Sequence, residues 1–92
     1  MNSKNAKTLS RIFKDPMLSN IVWKDIESLF NSLGALITEG SGSRLAVDLN
    51  NVTAVFHRPH PKKETHKGAV KSVRRFLAEA GIDKDFEEKN DD

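Results

Sequence analysis

Cysteine is missing from this chain, which rules out a disulfide framework and any thiolate metal site. Long apolar runs are missing too. Nothing near the start reads as a secretory leader and no stretch is long enough to span a bilayer, so a cytoplasmic protein with no membrane partner is expected. There is no internal repeat and no linker that would separate two domains. What remains is 92 residues for one small domain, whose modest core leaves room for a shallow or shared site rather than a deep cleft.

With 37% hydrophobic and 30% charged residues, the composition is that of a globular domain carrying polar tails. Net charge is only +2, but it is unevenly spread. Residues 83–92 hold six acids and two lysines, which leaves thirteen bases against seven acids, a net +6, on residues 1–82. A basic body suits a polyanionic or acidic partner. The acidic end reads as plain disorder, with screening of the basic body as the alternative.

Leu9, Ile12 and Phe13 mark a short helix that Asp15 and Pro16 end, and residues 1–6 ahead of it look polar and frayed. A second helix over about Trp23 to Leu33 lines up Val22, Ile26, Leu29, Phe30 and Leu33, with Gly34 as its stop. Trp23, beside Ile21 and Val22, anchors the start of that helix rather than stacking on a ligand. Ala35 to Glu39 gives a first strand, Gly40-Ser41-Gly42-Ser43 a turn, and Arg44 to Leu49 a second strand. The turn glycines do not form a phosphate loop, because neither the required lysine nor a helix follows them.

Asn50-Asn51 sits between two alternating runs, and asparagine tolerates the left-handed conformations of a two-residue hairpin turn. Such a turn fixes the register. Leu49 then faces Val52, Val47 faces Ala54 and Leu45 faces Phe56, an apolar side throughout. On the other side Arg44 faces His57, with Cβ atoms roughly 5 Å apart. A cation beside an imidazole favours its neutral, proton-accepting form. An exposed strand pair with no task is the plainer account.

After the third strand the sequence reads H-R-P-H-P-K-K-E-T-H-K-G-A-V-K-S-V-R-R-F-L, and every histidine of the chain lies within it. Pro59 and Pro61 end the ladder, and a closing helix over about His66 to Ala80 follows, with Thr65 as expected cap and Gly81 as stop. Val70, Val73, Phe76, Leu77 and Ala80 share one side, and Lys67, Lys71, Arg74 and Arg75 the other. Free N–H groups at the helix start favour an anion, and His60, Lys62, Lys63, His66 and Lys67 surround them. Phosphate is the natural ligand, and a merely solvated basic face is the alternative. Zinc on the three histidines fits no established ligand spacing, and Ser43 lacks a nucleophile elbow, so no metal or cofactor is expected. The order of elements predicts a two-layer α+β domain: a three-stranded antiparallel sheet with helices on one face and an extra N-terminal helix.

Taken together, W-K-D-I-E-S-L-F-N-S-L-G, G-S-G-S-R-L-A-V, H-R-P-H-P-K-K-E and K-G-A-V-K-S-V-R-R-F-L-A-E-A-G resemble a HicA-type toxin of a bacterial toxin-antitoxin pair. The resemblance covers about Trp23 to Ile82. It divides the chain into an extension (1–20), a HicA-like domain (21–82) and an acidic tail (83–92). It implies a fold like that of double-stranded-RNA-binding domains, a ribonuclease activity on mRNA, and a HicB-type antitoxin as protein partner. Family members usually carry Gly-Ser-His at the start of the second strand, with the histidine thought catalytic, where this chain has Gly42, Ser43 and Arg44.

Metal-independent RNA cleavage needs a base for the 2′-hydroxyl, cations for the phosphorane and an acid for the leaving oxygen. Arginine fills only the second role. The expected catalytic set is therefore His57 as imidazole, Arg44 on the phosphate and Ser43 as a hydrogen-bond donor. His60, Lys62, Lys63, His66, Lys67, Lys71 and Arg74 are the expected RNA contacts. Two other readings stay open: an RNA-binding module that no longer cuts, and a docking surface for an acidic antitoxin segment.

Overall fold

A computed structural model of the chain describes residues 1–86. In chain order it has α1 (Ser3–Ile12), β1 (Ile21–Val22), α2 (Trp23–Ser32), β2 (Leu36–Glu39), β3 (Arg44–Leu49), β4 (Val52–His57), β5 (Glu64–Thr65) and α3 (Lys67–Glu79). The domain is α+β, as expected: β2, β3 and β4 form an antiparallel sheet in that order. Among the described residues no helix is long and apolar enough to cross a membrane.

Asn50 and Asn51 both take positive φ, +50° and +68°, and the hairpin closes in the register that a two-residue turn demands, from Leu49↔Val52 to Arg44↔His57. One face of the ribbon buries Leu45, Val47, Leu49 and Phe56. The other stays open, with Leu36 and Val55 among the most exposed large apolar side chains described. The turn is also tied down: the Asn50 side-chain amide donates to the Ala80 carbonyl at the end of α3, 2.8 Å away.

Over the buried face the helices bring Ile26, Leu29 and Phe30 from α2 and Val70, Val73, Phe76 and Leu77 from α3. Removing each such side chain from water is worth about 1.5–3 kcal/mol. Phe30 is central, with ring centroids 5.8 Å from Phe56 and 5.6 Å from Phe76. Trp23 is buried against the same cluster, 5.8 Å from Phe56. Both helices end in the expected glycines: Gly34 and Gly81 have φ of +85°. The following amides reach back, Ala35 to Phe30 and Ile82 to Leu77, in the Schellman pattern.

Three expectations are corrected. The first residues are not frayed, because α1 starts at Ser3 with Asn2 as its cap, the Asn2 side-chain oxygen accepting from the Asn5 amide at 2.8 Å. Their polarity is deceptive: Asn5 and Thr8 are buried, with Ser28 donating to Asn5 and Thr8 donating to the Lys4 carbonyl. Leu9 and Ile12 of α1 belong to the same core as the sheet. Second, β1 and β5 pair as a two-stranded ribbon, Ile21 with Thr65 and Val22 with Glu64, which residue patterning did not reveal. Third, the acidic end is not wholly free of the body, since Phe86 packs against the core. The rest of the disorder expectation, residues 87–92, lies outside the described residues.

The Asn-Asn turn carries a direct test. Asn50→Ala removes both a residue that tolerates positive φ and the bond to Ala80, and is expected to cost about 1–2 kcal/mol in urea unfolding. Asn51→Gly, which keeps the conformation available, is expected to be neutral or stabilising.

Candidate functional site

The outgoing end of β4 is positioned by contacts on both sides of His57. Strand alternation turns His57 outward and Arg58 inward, and the Arg58 amide continues the ladder by donating to the Ser43 carbonyl at 2.9 Å. Beyond the prolines the chain returns as β5, and the Lys63 carbonyl accepts from the Trp23 amide at 2.9 Å. The basic turn is thus fastened to the start of α2.

Arg58 is the clamp. Its Nε and one Nη donate to Glu27 of α2 at 2.7 and 3.0 Å, and its two Nη atoms to Glu39 of β2 at 2.6 and 2.8 Å. The Trp23 indole N–H donates to the same Glu27 carboxylate. Hydrogen bonding by Arg58 holds the Glu39 carboxyl below its ordinary value, and the two carboxylates raise the guanidinium further above its own. Sequence reasoning missed this trio because its members are 31 and 19 residues apart and share no period.

Arg44 and His57 are paired in register, both exposed. Because Ser43 and Arg58 form a hydrogen-bonded pair, Arg44 and His57 occupy the closer, non-hydrogen-bonded kind, with Cα atoms about 4.5 Å apart. The side chains then diverge. The Arg44 stem lies beside Gly40, where an added Cβ would sit 3.4 Å from its Nε. It lines a cavity of about 370 Å³ with Thr38, Glu39, Ala46 and Val55. His57 instead lines a groove of about 250 Å³ between β4 and α3, opposite His66, Gly68, Ala69 and Ser72. Val55 borders both spaces.

His66, not Thr65, caps α3. Thr65 is taken up by pairing with Ile21 and its hydroxyl is buried without a partner, so the cap falls one residue later. The His66 Nδ1 accepts from the Ala69 amide at 3.2 Å, which places the proton of the neutral ring on Nε2. Gly68 makes room for this ring: a Cβ there would lie 3.2 Å from its Nδ1 and Cε1. That His57 shares a groove with His66 and Ser72 was not foreseen, since β4 and α3 meet only in three dimensions.

Ser43, His60, Lys62, Lys63, Lys67 and Lys71 are exposed. Lys63 borders a separate cavity near Trp23. Arg74 is otherwise engaged. Its guanidinium donates to the Ile12 and Lys14 carbonyls at 2.8–2.9 Å and packs 5.7 Å from the Phe13 ring centroid, closing the end of α1. A further cavity of about 640 Å³ lies against α1 beside Lys7, Arg11 and Lys14, away from the histidines. Among the described residues no three His, Asp or Glu side chains come together as a metal site.

A family model described as the HicA toxin of bacterial toxin-antitoxin matches residues 23–82, well over half of the chain. No curated protein and no solved structure matches it.

The clamp predicts a signature in pH. Because the folded-state value of Glu39 is depressed, its stabilisation is complete above the ordinary carboxylate range and is lost as pH falls through the lowered value. The Tm gap between wild type and Glu39→Gln should therefore be small but measurable near neutrality and close at acidic pH. Arg58→Ala should lower Tm more than Glu39→Gln does at neutral pH. It leaves Glu27, only 20% exposed, facing Glu39 with no cation between them. Thermal melts across the acid range check both.

Proposed function

The chain belongs to the HicA toxin family, and on that footing we propose that it is the toxin of a type II toxin-antitoxin pair, a cytoplasmic protein that binds mRNA and cleaves it as a metal-independent endoribonuclease. A HicB-type antitoxin is its protein partner, inhibiting by occupying the RNA face. The observation that carries the cleavage reading is the groove between β4 and α3. There an exposed imidazole, His57, lies across from a second one at the start of a 13-residue helix.

His57 takes the 2′-hydroxyl proton, and the freed oxygen attacks the adjacent phosphorus. The 5′-oxygen takes a proton from solvent water as it leaves and His57 returns its own to solvent, giving a 2′,3′-cyclic phosphate on one fragment and a 5′-hydroxyl on the other. Arg44 cannot be the base and stabilises charge on the phosphorane, with the Ser43 hydroxyl donating beside it. His66, whose Nδ1 is occupied by the cap, offers its Nε2–H to a phosphate oxygen. The first-turn amides of α3 favour the same anion. His60, Lys62, Lys63, Lys67 and Lys71 hold the flanking backbone. Arg74, closing α1, is left out of this set.

Transcript cleavage in vitro, with chelator present, tests the proposal. His57→Ala should reduce the rate by about 10²–10⁴ and Arg44→Ala by about 10²–10³, with cyclic-phosphate ends on the products. Cleavage that survives in His57→Ala and disappears in His60→Ala or His66→Ala would move the base elsewhere. RNA that is retarded on a gel but left intact by wild type would make the protein a binding module, the reading that Arg44 in the family's histidine position favours. Binding should weaken with salt, and Lys67→Ala should reduce the slope of log K against log[salt] by about 0.7.

A further inference from the structure

Between the basic turn and the start of α2 lies a cavity of about 470 Å³, bordered by Val22, Trp23, Lys24, Arg58, Pro59 and Lys63. Its walls are mainly apolar, in contrast to the polar hollow beside Lys7, Arg11 and Lys14. The clamp described above keeps it formed. Arg58 is tied to Glu27 and Glu39, the Lys63 carbonyl to the Trp23 amide, and Val22 to Glu64 in the β1–β5 ribbon. Two cations, Lys24 and Lys63, stand exposed at its rim.

We propose that this cavity is a pocket for one unstacked nucleobase of single-stranded RNA, a base-reading subsite that rests on the RNA-binding function above. The volume falls in the range of small-ligand pockets and accommodates a single base with space to spare. A base offers flat, weakly polar faces to Val22 and Pro59, and it arrives with a phosphate on each side, which the two rim lysines match in charge. Position supports the same occupant. Arg58 follows His57 directly, so the pocket opens at the same end of the sheet as the proposed cleavage groove. A strand with its phosphate at His57 has neighbouring nucleotides within reach of it. Unstacked bases recognised one at a time are the usual basis of sequence selection in single-stranded RNA.

Trp23 is the only tryptophan in the chain and forms part of the pocket wall, so its fluorescence reports on occupancy. The experiment titrates the full chain with a short single-stranded 2′-O-methyl RNA, which has no nucleophilic hydroxyl and stays intact. Trp23 emission and the anisotropy of an end label are read together. An abasic residue is then placed at each position in turn. The pocket predicts an emission change on binding that disappears with one particular abasic position, where affinity also falls by about tenfold, other positions having little effect. Lys24→Ala should weaken the intact RNA without abolishing that position dependence. Binding with unchanged emission and equal tolerance of every abasic position would overturn the pocket while leaving the RNA-binding function in place. Emission that answers a HicB-type antitoxin but not RNA would overturn it as well. Absence of any anisotropy change would sink the underlying function together with the pocket.

Discussion

The arrangement of the whole basic end depends on one guanidinium between two carboxylates. Arg58 joins three elements that are distant in sequence: the start of α2 through Glu27, the edge strand β2 through Glu39, and the last turn of the β4 ladder through its own backbone. Each hydrogen bond there is charge-assisted, and the planar fork of arginine satisfies both carboxylates at once. Lysine would not reproduce this. With Arg58 held inward, pleating leaves His57 only the outer face, and the prolines beyond must leave the sheet from a fixed point. Trp23 adds to the same knot, because its ring lies in the aromatic core while its N–H meets Glu27.

That clamp divides the positive charge of the molecule into two kinds. Arg58 and Arg74 are consumed internally, one by carboxylates and the other by the carbonyls at the end of α1. The net +6 of residues 1–82 therefore overstates what a polyanion meets in places and understates it in others. Among the described residues, exposed cations left to meet a ligand include lysines on long flexible stems together with Arg44 and Arg75. A surface of this kind holds a backbone without dictating its sequence. Any selectivity must come from shape or from contacts to bases, which is why an apolar cavity within the basic region carries weight.

Much of the fold was legible where a period and a turn rule agreed. Alternation from Arg44 to Phe56 around Asn50-Asn51 left one register that puts Leu45, Val47, Leu49, Val52, Ala54 and Phe56 on one face, and that register is the observed one. Gly34 and Gly81 marked helix ends for the same kind of reason, since a left-handed residue must follow an apolar helical run. Legibility failed where partners were distant. Arg74 lay on a stripe of bases and looked solvated, yet its partners are some 60 residues earlier. Asn5 and Thr8 looked exposed by type, and a hydrogen bond from Ser28 and one to Lys4 make their burial tolerable. The β1–β5 ribbon spans only two residues on each side, too short for any period, and its pairing moved the cap of α3 from Thr65 to His66.

Arg44, standing where the resemblance leads to the expectation of a histidine, fits the geometry in a specific way. The arginine stem lies toward β2, with its Nε within van der Waals distance of where a Cβ at Gly40 would stand. A histidine at the same position is too short to follow that path. The longer residue therefore leaves the outer face over Val55 open and carries its charge to one flank of it, while His57 and His66 occupy the other. On the proposed function this separates two tasks that a lone histidine must combine. Proton abstraction falls to the His57 imidazole in the groove and charge stabilisation to a guanidinium across Val55, so the phosphate being cleaved has to bridge the strand rather than sit at one residue.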